Sequence, residues 1–113
     1  MLIAMPLFDR FTALDAIGPY EVLSRLPAAE VVFCGTDART YRTQKGLGVQ
    51  AGARLDDVSS CDVLVVPGGF GTRAAASNAA LIEWIEAMHR TTTWTTSVCT
   101  GALLLGAAGL LRG

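Results

Sequence analysis

The stretch Asp62-Val63-Leu64-Val65-Val66-Pro67-Gly68-Gly69 (DVLVVPGG, 62–69) decides the fold. Four consecutive apolar, β-prone residues leave no polar face, and Pro67 with two glycines ends the run. A strand without alternation is apolar on both sides, as in a parallel sheet covered by helices. Working outward, LIAMPL (2–7), EVVFCG (30–35) and residues 93–98 read as further strands of the same kind. Between them, IGPYEVLSRL (17–26) reads as a helix with Pro19 near its first turn, where a missing N–H costs nothing. NAALIEWIEAMHR (78–90) places Leu81, Ile82, Trp84, Ile85 and Met88 at helical spacing behind Asn78 as N-cap. Trp84 belongs to that core stripe, and Trp94 is read as packing at the start of the last strand. Residues 100–111 read as the last helix. The polar segment 36–58, with Gly46, Gly48 and Gly52, predicts a hairpin with a strand near 49–51.

Strands alternating with helices imply right-handed crossovers, hence an α/β three-layer sandwich with a mostly parallel, flavodoxin-like sheet. At 113 residues the chain is one domain by length, able to bury roughly 65% of its extended surface. With 51% hydrophobic and 17% charged residues and a net charge of −1, nothing suggests nucleic acid as a partner. No apolar run is long enough to cross a membrane. The opening MLIAMPLF lacks a basic leader and is interrupted by Asp9, so it makes a poor signal peptide. Three cysteines without zinc-ligand spacing suit reduced thiols in a cytoplasm. Neither a metal nor an organic cofactor is suggested.

In such sheets ligands gather at the carboxyl ends of the strands. Three loops reach that edge: the one holding Asp15, the Pro67-Gly68-Gly69 turn, and the corner Ser97-Val98-Cys99-Thr100-Gly101. A cysteine where strand gives way to helix is either a small buried filler or a nucleophile on a tight elbow. The corner placement favours the nucleophile. The following helix end would favour its thiolate. Two glycines after a central strand can turn sharply and aim N–H groups into a cleft, though such a pair is more often only a turn. The run Gly68-Gly69-Phe70-Gly71 lacks the spacing of a dinucleotide fingerprint. Asp15 is either a carboxyl exchanging protons beside the thiol or a helix-start residue favoured by the dipole. Cys34 and Cys61 read as inert strand residues, and His89, the single histidine, as the polar end of a helix.

LDAIGPYEVL (14–23), DVLVVPGG (62–69) and SVCTGALLLGAAGLL (97–111), in that order, closely resemble the DJ-1/PfpI superfamily of class I glutamine-amidotransferase-like folds. Asp15-Ala16-Ile17-Gly18-Pro19 and Cys99-Thr100-Gly101 most resemble isocyanide hydratases. The resemblance runs from Leu2 to Gly113. It implies Cys99 as nucleophile and Asp15 as the acidic residue that moves a proton or orients water. It makes Thr100 the following residue, with N–H and hydroxyl facing the ligand. Gly68 and Gly69, with Gly101 beside them, become the backbone groups lining the oxyanion side. The implied reaction adds the thiolate to an isocyanide carbon and hydrolyses the thioimidate to an N-substituted formamide.

Peptidases and glutaminases of this superfamily pair the cysteine with a histidine, and here Thr100 follows Cys99 instead. Family members run to about twice this length, with further strands and helices after the nucleophile helix. The chain is therefore expected to be the N-terminal half of such a domain, with an exposed sheet edge that invites a homodimer. Two other readings stand beside the hydratase. One is the ligand-sensing domain of an AraC-type transcription regulator. The other is a redox or carbonyl-stress protein using Cys99 as an oxidisable thiol.

Overall fold

A computed structural model describes residues 1–110 of the chain. In chain order the elements are β1 (Leu2–Pro6), α1 (Ala13–Leu23), β2 (Glu30–Gly35), β3 (Thr40–Arg42), β4 (Gly48–Gln50), β5 (Ala53–Arg54) and β6 (Val63–Val66). They continue with α2 (Thr72–Ala76), α3 (Ala79–His89), β7 (Trp94–Ser97), a 3₁₀ turn at Cys99–Gly101 and α4 (Ala102–Ala107). Among the described residues, five strands make one sheet in the order β5-β2-β1-β6-β7, and every pairing in it is parallel. β3 and β4 form the separate antiparallel hairpin expected of segment 36–58. The short β5, which returns to the edge of the main sheet beside β2, carries no sequence signal.

Alternate residues of the central strands face opposite layers. Ala4, Leu64 and Val66 pack with Leu81, Ile85 and Leu104 from α3 and α4. Ile3, Met5 and Val65 pack on the other face, against Leu23 of α1. This is the three-layer arrangement that unalternating strands require. Each fully buried Leu or Ile contributes about 1.5–3 kcal/mol to holding the layers together. Trp84 is buried as expected and its indole N–H donates to Val58 O at 3.0 Å. Asn78 caps α3, its side chain accepting from Leu81 N at 3.3 Å.

Three boundaries differ from the sequence reading. α1 begins at Ala13 and ends at Leu23, so Asp15 lies in its first turn and not in a loop. Pro19 is consequently inside the helix, where it removes the N–H that would bond the Asp15 carbonyl. The final helix is shorter than 100–111. It opens as a 3₁₀ turn, and α4 is closed by Gly109 in the left-handed region at φ +80°. Leu111, the expected last residue of that helix, lies outside the described residues. Trp94, read as packing, is 66% exposed because β7 is an edge strand.

The chain leaves the central β1 first toward β2 and later returns toward β6 on its other side. The crevice between the carboxyl ends of β1 and β6 is thus the switch point where such sheets bind ligands.

Candidate functional site

Adjacent strands β1, β6 and β7 each lead into one part of this crevice. From β1, the chain reaches Thr12, whose N–H donates to Gly68 O at 2.9 Å and whose carbonyl accepts from Asp15 N at 3.0 Å. Starting α1 there turns Asp15 inward, and its side chain is 6% exposed. Beyond β7, Val98 N–H donates to Val66 O at 2.9 Å, extending the sheet for one more residue. Cys99 then breaks from it at φ +49°, a left-handed conformation uncommon for a residue with a side chain. The thiol stands exposed on this elbow and donates to Asp15 Oδ1 at 3.8 Å.

Gly68 and Gly69, which follow β6, sit between these two parts. Gly68 N–H donates to the other carboxyl oxygen, Asp15 Oδ2, at 3.2 Å. Gly69 N–H donates to Thr100 Oγ1 at 2.9 Å. Thr72 completes the turn, donating from Oγ1 to Gly69 O at 2.6 Å and lying 3.1 Å from Thr100 Oγ1. Both glycine N–H groups, expected to face a bound anion, are therefore engaged with Asp15 and Thr100. The Thr100 hydroxyl is likewise turned into the glycine turn and away from a ligand. Its backbone N–H, by contrast, meets no protein acceptor among the described residues. Gly69 needs its missing Cβ: at φ +133° a side chain would meet Thr12 N at 2.6 Å and Arg10 O at 2.7 Å. Gly101 needs its own for another reason, since a Cβ there would collide with Val66 O.

Thr12, Asp15, Gln44, Gly69, Phe70, Cys99 and Thr100 line a cleft of about 220 Å³ with mostly apolar walls. The structure thus brings four of the six residues singled out in the sequence, Asp15, Gly69, Cys99 and Thr100, to the wall of one opening, with Gly68 bonded to Asp15 beside it and Gly101 packed behind. Gln44, Phe70, Thr12 and Thr72 were missed. Gln44 arrives from the β3–β4 hairpin, and no periodicity announces such a contact. His89 is absent from the cleft, and its Nδ1 pairs with Thr95 Oγ1 at 2.8 Å. The other two cysteines are buried elsewhere. Burial, with a smaller contribution from Cys61, pushes the Cys34 thiol up to about 12. Burial and the neighbouring Asp62 push Cys61 up to about 11. Both are neutral thiols at physiological pH. Among the described residues no group of His, Cys, Asp and Glu is arranged to hold a metal ion. No described helix is long and apolar enough to cross a membrane.

Comparison with known proteins gives a consistent picture. The DJ-1/PfpI family profile matches residues 1–113. An isonitrile hydratase from Pseudomonas putida is 36% identical over 107 residues, covering 95% of this chain and 47% of that protein. An HTH-type transcriptional regulator from Mycobacterium tuberculosis is 48% identical over 50 residues, or 44% of this chain and 19% of that one. The crystal structure of a ThiJ/PfpI family protein from Pseudomonas syringae superimposes with a TM-score of 0.95 at 33% identity, covering 99% of this chain and 47% of that one. The chain thus spans about half the length of the hydratase and of the solved structure.

Proposed function

The chain belongs to the DJ-1/PfpI family, and from that membership we propose that it is a cysteine-dependent isocyanide (isonitrile) hydratase. The observation that carries the reading is the Cys99 thiol on its strained elbow, 3.8 Å from a buried carboxyl that Gly68 holds in place. A thiol and an oriented carboxyl are the two groups this hydration needs.

The Cys99 sulfur attacks the terminal carbon of R–N≡C, forming the S–C bond, while a proton reaches that carbon through Asp15. The product is the thioimidate R–N=CH–S–Cys99. Water then adds to the same carbon, one of its protons passing to Asp15 and the other to the nitrogen, which leaves the tetrahedral oxyanion R–NH–CH(O⁻)–S–Cys99. The tetrahedral species collapses by breaking the C–S bond, which releases R–NH–CHO and restores the thiolate. One water is consumed, and no electrons leave or enter. The N–H of Thr100, which meets no protein acceptor among the described residues, is left to serve the oxygen in that collapse, while Gly68, Gly69 and Gly101 set the frame. Residues 1–113 act in this reading as one DJ-1/PfpI-like unit, with a small-molecule substrate, a cytoplasmic setting, a homodimeric assembly and no bound cofactor.

The test is conversion of an aryl isocyanide to its formamide, followed spectroscopically. Turnover should be present in the wild type and fall to background in Cys99→Ala and Asp15→Ala. Turnover that survives loss of the thiol rejects the reading. The 48% identity to a regulator over 50 residues supports one alternative, a ligand-sensing domain of a transcription regulator. In that case ligand binding persists in Cys99→Ala and no variant turns over.

A further inference from the structure

The cleft contains a carboxamide that the thiol chemistry leaves unused, that of Gln44. Its backbone is fixed: Gln44 N–H donates to Phe11 O at 3.1 Å, and neighbouring Thr43 bridges to Phe11. Its side-chain oxygen is also fixed. Oε1 accepts from Thr12 Oγ1 at 3.3 Å and from Phe70 N–H at 3.4 Å. A backbone N–H can only donate, so the Phe70 contact settles which end of the amide is oxygen. The Nε2 group is left with two donors and no protein acceptor among the described residues. It stands in the same small cleft as the thiol, whose other walls are mostly apolar.

We infer that Gln44 is the ligand-orienting donor of this cleft, its Nε2–H₂ bonding the carbonyl oxygen of an N-substituted formamide. This rests on the hydratase reading for the identity of the ligand. The geometry explains the division of labour within the amide. Thr12 and Phe70 hold the acceptor end so that the donor end is presented without a rotamer search. A cleft with mostly apolar walls and a side-chain donor fixed in it suits a small apolar molecule carrying an acceptor oxygen. That is the product of isocyanide hydration, and also its tetrahedral precursor.

The experiment titrates N-phenylformamide into wild type, Gln44→Met and Gln44→Glu, reading affinity and the side-chain N–H₂ resonances of Gln44 by NMR. Gln44→Glu keeps an oxygen for Thr12 and Phe70 but removes the donors, which separates ligand contact from anchoring of the turn. The Gln44 N–H₂ signals should shift on titration. Affinity should fall about fivefold in Gln44→Met and about tenfold in Gln44→Glu, with circular dichroism unchanged. Equal affinity in all three proteins overturns the inference, as does wild-type binding without a shift of those signals or no wild-type binding at all. Turnover of phenyl isocyanide is measured alongside. Formamide binding through Gln44 without turnover sinks the hydratase reading and keeps this one. Turnover with unaltered formamide affinity in the variants sinks this one alone.

Discussion

The elbow at Cys99 makes a prediction about stability that is independent of any substrate. At φ +49° a side-chain-bearing residue is held in the left-handed region, at a cost of about 1–2 kcal/mol. Glycine escapes that cost but loses about 0.5–1 kcal/mol more backbone entropy than alanine on folding. Comparing Cys99→Gly with Cys99→Ala removes the thiol and its contact with Asp15 in both proteins, so only the backbone preference differs. The glycine variant should be the more stable by about 0.5–1 kcal/mol, or about 3–6 °C in melting temperature for a domain of this size. Ala87, exposed inside α3, supplies the opposite sign. Ala87→Gly should cost about 1 kcal/mol, because there glycine has only its entropy to lose. Calorimetric melting of the variants and wild type reads both effects. An alanine variant at position 99 as stable as the glycine variant would refute the claim that the corner is strained.

Four further outcomes follow from the same structure. With Cys34 pushed up to about 12 and Cys61 to about 11, alkylation of the folded protein near neutral pH should add one equivalent, at Cys99, by intact mass. Because both thiols bind their protons more tightly folded than unfolded, their contribution is complete below their ordinary value of 9.0 and is lost as pH rises through about 11 and 12, so denaturant midpoints should fall steadily across that window. The Arg39 guanidinium, bonding Asp9 at 2.8 Å, holds the Asp9 carboxyl below its ordinary range; the stabilisation is present above that range and lost on acidification. The pair is half-exposed, so Asp9→Asn should lower stability by only about 0.2–1 kcal/mol at neutral pH in denaturant titration. Gly69→Ala should cost about 3 kcal/mol or more by the same measurement, since it combines an unfavourable φ with collisions against Thr12 and Arg10.

The main architecture was legible because the central strands announce themselves. Val63–Val66 is apolar on both faces, and only a covered parallel sheet satisfies that pattern. The start of α3 was legible for a local reason, the Asn78 cap. What failed to show were features decided by distant partners. Pro19 reads as a helix start, yet the Thr12–Gly68 bond begins α1 six residues before it, tertiary contact overriding a local preference. The residues 100–111 look uniformly helical, and Gly109 ends the helix only because it adopts a positive φ. Gln44 meets Phe70 across 26 positions and Thr12 across 32, separations at which side-chain periodicity carries no information.

The engagement of the glycine amides changes what the Pro67-Gly68-Gly69 turn is for. Free N–H groups there would offer charge stabilisation to an anion, as sequence reasoning expects of such a turn. Instead, consecutive amides of the middle strand's loop reach in opposite senses, Gly68 to Asp15 on the β1 side and Gly69 to Thr100 on the β7 side. Strand pairing fixes β1, β6 and β7 to within one register, but it leaves the loops beyond them free to drift. Two bonds from one dipeptide, at 3.2 and 2.9 Å, remove that freedom, tying the Asp15 carboxyl and the Thr100 hydroxyl beside the thiol to a single turn. Both glycines are required by sterics, since a side chain at 68 would meet Thr100 and one at 69 would meet Thr12. The turn therefore acts as a jig for the thiol–carboxyl pair, and the donors of this cleft left without a protein partner among the described residues are the Thr100 N–H and the Gln44 side-chain amide.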